Sequence, residues 1–184
     1  MKLVFPNLLY KERAEQFINE FKEYNSDING SGALDSYLEN STYEEWLKKV
    51  YADIDIANIQ KPRVPALTYF YVREEDDIIV GMINIRLALN DFLRKEGGHI
   101  GYCIRPTERQ KHYATDMLNS ALTVCDTLGI NEVILTCDKC NVPSSNVIKN
   151  CNGELVEEFY SETFKENIQK YVIKRWKFKE NYDK

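Results

Sequence analysis

A polar turn that leads into a predicted helix is the first place where residue types and spacing suggest chemistry. The turn covers residues 109–114, and apolar residues then recur with a helical period through residue 128. A helix N-terminus carries free N–H groups and partial positive charge, so it attracts phosphate. Arg109 and Lys111 add formal charge, and Ala114 is small enough to let phosphate oxygens approach the backbone. The turn predicts a pyrophosphate site, the alternative being an ordinary solvated turn.

Cys137 and Cys140 raise a second possibility, because their spacing also occurs in metal and redox sites. A structural zinc site usually takes four ligands in two paired clusters, and no second pair with that spacing remains in the sequence. A redox pair would open a helix, whereas Cys140 precedes Asn141 and Pro143 in a predicted loop. We therefore predict no metal and no redox function here.

The turn also resembles the cofactor loop of the GNAT superfamily of acyl-CoA N-acyltransferases. The family pattern is Gln or Arg, two residues, Gly, one residue, then Gly or Ala. The sequence keeps Arg109 and Ala114 but has His112 where the pattern has its first glycine. The similarity continues at Asn141 and Ser144 and is clearest over residues 78–159.

Within the superfamily, the segment GGHIGYCIRP at residues 97–106 resembles a branch of predicted acetyltransferases. The resemblance implies an α/β fold with a GNAT-like mixed central sheet, flanking helices and a strand-helix-strand core that binds acetyl-CoA. The strands on either side of the long helix are expected to splay apart. Backbone groups near residues 103–105 would then be free to bond pantetheine like an added strand. The cofactor-binding residues that the resemblance implies are Cys103, Ile104, Arg105, Arg109, Gln110, Lys111, His112, Tyr113, Ala114, Thr115, Asn141 and Ser144.

Acetyl transfer to an amine needs a neutral amine, a stabilised oxyanion and a proton for the departing thiolate. An alkylamine has a pKa of about 10.4, so a base or a water relay must help. His99 is the candidate, because the family often places a carboxylate or water-holding residue early on this strand; the alternative is a packed histidine bonded to backbone. Ile148, or Val147 if the register slips by one, occupies the position of the family's usual tyrosine acid. Tyr102 is our candidate replacement, with Tyr113, Cys151 and water as alternatives.

His112 has two interpretations. In one, the turn is mildly strained because His112 replaces a glycine, at a cost of about 1 to 3 kcal/mol. In the other, the His112 imidazolium compensates for this cost by pairing with a phosphate of the cofactor. We favour compensation, because Lys111 alone would leave the phosphates of the cofactor thinly neutralised.

Hydrophobic periodicity predicts the elements that position these residues. A polar, glycine-rich loop at 27–33 and the helix after it could form a lid, with Ser41 opening a capping box. Arg86 and Asn90 are the candidate substrate-binding residues, and a capped surface helix explains them equally well. The predicted helices cover residues 11–24, 41–50, 87–95, 114–128 and 145–150, and the predicted strands cover residues 68–72, 78–85, 99–104, 132–137, 154–160 and 170–178. The strand-helix-strand unit at 99–137 favours a parallel crossover.

Length and composition limit the remaining possibilities. The chain has 184 residues, which predicts a single acetyltransferase domain over 1–184. The net charge of −5 disfavours a nucleic-acid partner, and no apolar run is long enough to cross a bilayer. Five sparse cysteines and the lack of a signal-peptide pattern favour the cytoplasm.

The sequence therefore predicts an enzyme that transfers acetyl from acetyl-CoA to a primary amine, by direct attack in a ternary complex. A small-molecule amine is the preferred acceptor, and a homodimer is left open. The alternatives are a protein or peptide N-acetyltransferase and a catalytically silent acyl-CoA-binding or sensory module.

Overall fold

The computed structural model describes residues 1–175, and its strands form two antiparallel sheets. The first has the order β1-β2-β3-β4 and the second β5-β7-β6. The strands are β1 (Lys2–Val4), β2 (Ala66–Arg73), β3 (Ile78–Arg86), β4 (Ile100–Ile104), β5 (Glu132–Asp138), β6 (Glu154–Ser161) and β7 (Glu166–Lys174). The helices are α1 (Lys11–Glu23), α2 (Leu34–Asn40), α3 (Tyr43–Ala52), α4 (Tyr113–Thr127) and α5 (Val142–Asn150). None of the described helices is long and apolar enough to cross a membrane.

Two hydrophobic clusters cover the opposite faces of the first sheet. On one face, α1 and α3 pack aromatic residues such as Phe17, Phe21 and Trp46 against β2 and β3. On the other face, α4 inserts residues such as Met117 and Leu118 between β3 and the second sheet. The apolar stripes predicted for α1 and α4 are therefore confirmed as the faces that fill the core.

Several predicted boundaries were wrong or incomplete. The side chain of Thr42, not that of Ser41, caps α3 by accepting from the Glu45 N–H at 3.2 Å. Residues 87–95 are not one helix, since the chain is helical only from residue 91 and forms a π-helix over Leu93–Gly97. The last strand ends at Lys174, and residues 176–178 of the predicted strand lie outside the described part of the chain.

The strand-helix-strand core is confirmed, but its two strands belong to different sheets. Every described ladder is antiparallel, and β4 and β5 share none. One backbone bond joins them, from the His99 N–H to the Ile134 oxygen at 2.7 Å. Gly98 permits this contact because it has a φ of +62°, and a Cβ there would lie 2.5 Å from the same oxygen. The mixed sheet of the prediction is thus two antiparallel sheets joined at one point.

The π-helix is tied to both sheets by polar contacts around Glu96. The Ser161 hydroxyl donates to its buried carboxylate at 2.6 Å, and this bond is the main reason that the pKa of Glu96 is lowered. The Thr136 hydroxyl donates to the Glu96 backbone oxygen at 2.8 Å. Arg86 Nη1 donates to the Gly97 oxygen at 2.7 Å. These contacts fix the segment that leads into β4.

We expect Ser161→Ala to lower the free energy of unfolding by about 1 to 3 kcal/mol, because it leaves a buried carboxylate without its donor. Urea unfolding measures the loss. Ser36→Ala is the matched control, since Ser36 is exposed in α2, and its effect should stay within about 0.5 kcal/mol. Equal stability of the two variants would contradict the assigned role of the Ser161 hydroxyl.

Candidate active site

The edge of β4 that faces away from β3 is open. The Arg105 N–H donates to the Val80 oxygen at 2.9 Å. Because hydrogen-bonded residues alternate along an antiparallel pair, Cys103 also turns its backbone toward β3, whereas Tyr102 and Ile104 turn theirs toward β5. Within residues 1–175, Tyr102 and Ile104 have no backbone partner on that side, although the Ile104 oxygen accepts from Arg109 Nε at 3.2 Å. The splayed arrangement leaves a short length of strand edge available for pairing.

The residues at the open edge are only partly those expected from the sequence. The backbone of Arg105 is already bonded, and its guanidinium lies over the Phe17 ring, 5.6 Å from the centroid. The Cys103 side chain packs into the cluster beneath α1, where burial raises the pKa of the thiol to about 12. Of the three residues from 103 to 105, only Ile104 has backbone groups that face the opening, and Tyr102 joins it.

The turn before α4 presents a run of free backbone donors. Gln110 and His112 have φ values of +62° and +63°, the left-handed conformation that explains a glycine in the family pattern. The N–H groups of residues 111–114 make no hydrogen bond to any described part of the chain. His112 is exposed and caps α4 only through its backbone oxygen, which accepts from the Thr115 N–H at 3.1 Å. Gln110, Tyr113, Ala114 and Thr115 complete this turn.

Formal charge at the turn is smaller than the sequence suggested. Arg109 points toward α1, donates to the Ser26 hydroxyl at 2.7 Å and lies over the Phe21 ring. Lys111 stays beside the turn but pairs with Glu108 at 2.9 Å. The anion-binding capacity of the turn therefore depends mainly on its N–H groups and on the helix dipole.

Tyr102, Asn141 and Ser144 come together across the opening between β4 and α5. The Asn141 side chain caps α5 by accepting from the Ser144 N–H at 3.0 Å. The Ser144 hydroxyl lies 2.9 Å from the Tyr102 hydroxyl. Burial raises the pKa of the Tyr102 phenol well above its ordinary value, so the phenol stays protonated at neutral pH. Ile148 is fully buried in the core and takes no part in this contact.

The other proton-donor candidates are less well placed. Cys151 is buried, with its thiol 3.7 Å from the Thr115 oxygen, and burial raises the thiol pKa to about 11. Tyr113 packs partly against the core at the start of α4. Cys137 is buried and Cys140 exposed, both as free thiols, and the described residues contain no cluster of metal-binding side chains.

His99 is bonded to the backbone on both sides. Its Nδ1 accepts from the Ile134 N–H at 2.9 Å, and its backbone oxygen accepts from the Arg86 N–H at 2.7 Å. Burial lowers the pKa of the imidazole to about 4, and the charges of Arg86 and Arg94 act in the same direction. A neutral ring that accepts at Nδ1 carries its proton on Nε2, so neither nitrogen is free to accept a proton. The geometry favours the packed histidine over the general base.

A pocket of about 540 Å³ opens beside Arg86 on the face that carries α3. Arg86 and Asn90 both line it, but both also have structural bonds: Asn90 accepts from the Leu93 N–H at 2.8 Å. The loop at 28–33 forms one wall, and it is packed tightly, since a Cβ on Gly30 would lie 2.1 Å from the Gly101 oxygen. The predicted lid segment is therefore seated directly on β4.

The charged residues on the opposite wall of the pocket were not among the site residues expected from the sequence. Asp53 accepts from Lys49 at 2.7 Å and also pairs with Arg63. The spacing of four between Lys49, in the last turn of α3, and Asp53, at its C-cap, could have indicated an ion pair. Nothing local indicates that Arg63, in the long connection to β2, would join them.

The sequence matches the acetyltransferase (GNAT) domain family over residues 15–154. The chain therefore belongs to this family of acetyltransferases. None of the curated protein sequences matches it.

Solved structures with the same fold are distant in sequence. The microcin C7 self-immunity acetyltransferase MccE, in complex with acetyl-CoA and AMP, is 18% identical with a TM-score of 0.69, over 94% of this chain and 91% of its own. RimL, a ribosomal L7/L12 alpha-N-protein acetyltransferase in complex with coenzyme A, is 16% identical with a TM-score of 0.66, over 94% and 93%. A chimera of the spermidine N-acetyltransferase SpeG from Vibrio cholerae and hSSAT is 13% identical with a TM-score of 0.61, over 95% and 96%.

If His99 is held neutral by its packing, stability should fall at acidic pH. The unfolded histidine takes up a proton near pH 6.5 but the folded one only near pH 4. The contribution of the neutral His99 ring to the free energy of unfolding is therefore complete above pH 6.5. This contribution, about 1 to 3 kcal/mol, is lost as the pH falls toward 4. Urea unfolding between pH 7.5 and 4.5 should therefore show a shallower pH dependence for His99→Gln than for the wild type. Parallel curves for the two proteins would contradict the assignment.

Proposed function

We propose that this protein transfers the acetyl group of acetyl-CoA to a primary amine of a small molecule. The observation that carries the proposal is the continuity between the open edge of β4 and the free N–H groups at residues 111–114. Strand-edge donors and acceptors suit the amides of pantetheine, and clustered N–H groups at a helix start suit its pyrophosphate. Family membership gives the reaction class, and MccE and RimL carry acetyl-CoA or coenzyme A in their crystals.

Acetyl-CoA supplies an acyl group activated as a thioester. The residues of this chain orient the acyl donor and protonate the departing thiolate. The open edge of β4 aligns the acyl donor, and an N–H of that edge stabilises the oxyanion. Tyr102 donates the proton to the departing thiolate, because its phenol is protonated and bonded to Ser144 at the same opening. Deprotonation of the amine is left to water, since His99 has no free acceptor nitrogen. His99 is then a positioning residue for the start of β4.

The pocket beside Arg86 is the proposed acceptor site. Its volume of about 540 Å³ suits a small amine. Among the similar structures, one is a spermidine acetyltransferase and another acts on ribosomal protein L7/L12. The 28–33 loop favours a small acceptor over a protein, because it already rests on β4 and forms one wall of the pocket.

Ala114→Glu should abolish acetyl-CoA binding, because it places bulk and negative charge at the N–H groups of the turn. For the wild type, acetyl-CoA at about 100 times its Kd should stabilise the fold by about 2.7 kcal/mol, measured as a rise in Tm. Asn119→Glu, on the exposed face of the same helix, is the matched control and should keep the rise. An undiminished rise in Ala114→Glu would place the cofactor elsewhere.

Tyr102→Phe should lower kcat by about 10 to 100-fold, because it removes the proton donor and keeps the ring. Acetyl-CoA affinity should be nearly unchanged. The pH dependence of kcat separates a catalytic hydroxyl from a structural one, since loss of a hydrogen bond to Ser144 alone would leave the profile in place. Ser144→Ala provides that comparison. A wild-type rate and pH profile in Tyr102→Phe would show that water, and not Tyr102, protonates the departing thiolate.

A silent acyl-CoA-binding module is the second candidate. It is favoured by two observations, the buried Ile148 in place of a tyrosine and the occupied Nδ1 of His99. Thiol release from acetyl-CoA in the presence of a panel of primary amines separates the candidates. A protein that shows the thermal shift but releases no thiol above background is a binding module.

A further inference from the structure

Arg86 is the one cation of the acceptor pocket that has no carboxylate partner within residues 1–175. Lys49 and Arg63 also line the pocket, but both pair with the carboxylate of Asp53. The other acid, Asp35, accepts from the Ser31 hydroxyl at 2.7 Å. Three cationic and two acidic side chains line the pocket, so its formal charge is +1 in a protein with a net charge of −5.

The guanidinium of Arg86 is held in place but not saturated. Its Nη1 donates to the carbonyl oxygens of Gly97 and Gly98, at 2.7 and 3.0 Å. Its Nε and Nη2 atoms make no hydrogen bond to the described chain, and they are not sealed from solvent. An arginine fork fixed by two carbonyls has a preset direction, which reduces the entropy lost when it binds an oxyacid.

Burial of a cation without a counter-ion is unfavourable, and the pKa of Arg86 is accordingly lowered by desolvation. An anionic group in the pocket would relieve this cost. A second ammonium at the same place would instead be repelled by the Arg86 guanidinium.

We propose that the pocket selects amine acceptors that also carry a carboxylate or another oxyacid, and that Arg86 binds that group. The inference rests on the proposed acetyl transfer and names its substrate class, an amino acid-like amine rather than a polyamine. Arg86 is then a specificity-determining residue, and its contacts to Gly97 and Gly98 keep it aimed into the pocket.

The test compares acceptors that differ only in the group at the far end. The small series is γ-aminobutyrate, aminopropyl phosphonate, the primary amide of γ-aminobutyrate, and putrescine. A peptide series consists of two tripeptides that differ by Glu or Gln beside the N-terminal residue. In whichever series turns over, the acidic acceptor should have a kcat/KM about tenfold or more above its neutral counterpart. Putrescine should be the poorest, and the carboxylate and phosphonate arms show which oxyacid is preferred.

Variants assign the preference to a residue. Arg86→Gln should bring the ratio of acidic to neutral acceptor to about one, whereas Arg86→Lys should retain part of it. Arg63→Gln is the matched control, since it removes the same charge from the pocket without touching Arg86 and should keep the ratio. The ratio is internal to each variant, so a loss of stability does not obscure it, and the acetyl-CoA thermal shift reports folding.

Three results would overturn the inference. One is a wild-type enzyme that acetylates the amide or putrescine as well as the acid, which leaves the acetyl transfer itself intact. Another is a preference that survives Arg86→Gln, or that Arg63→Gln abolishes equally. The third is no turnover of any acceptor by a protein that binds acetyl-CoA, and only this result also removes the proposed function.

Discussion

The contact between His99 and Ile134 is the constraint on which the rest of the site depends. It consists of two hydrogen bonds, one between backbones and one from the Ile134 N–H to the imidazole. Because these bonds join the sheets at a single point, β4 and β5 are adjacent at His99 and open beyond it. If β4 and β5 were paired along their length, the backbone groups of Tyr102 and Ile104 would be hydrogen-bonded to β5. One buried, neutral histidine therefore joins the two sheets at the start of β4, and the strand edge beyond it stays free.

Two regions of the candidate site differ in their chemistry. One side is the opening between β4 and α5, where backbone donors and a protonated phenol dominate. The other side is the pocket with its excess of positive charge. Each side suits one of two substrates, an acyl donor rich in amides and phosphates and an acceptor with an acidic group. The arrangement explains why overall net charge says little about either partner, since local charge at the pocket has the opposite sign.

Local patterns predicted much of this structure. The apolar stripes of α1 and α4, the β2-β3 hairpin and the turn before α4 follow from residue spacing that involves only near neighbours. The left-handed backbone of His112 agrees with the glycine expected there. The failures involve distant partners. Arg109 bonds to Ser26 instead of facing the turn, the His99 ring bonds to the Ile134 N–H, and Glu96 of the π-helix bonds to Ser161. No local pattern predicts these pairings, because the partners are far apart in the sequence.

The contact between Gly30 and Gly101 has a consequence for how the two substrates influence each other. The wall of the acceptor pocket rests backbone to backbone on β4, with no side chain between them to absorb a displacement. Any shift of β4 on occupation of its open edge would therefore be transmitted to the 28–33 loop. By thermodynamic linkage, an acyl donor that tightens the loop around the acceptor is itself bound more tightly, by the same factor, once the acceptor is present.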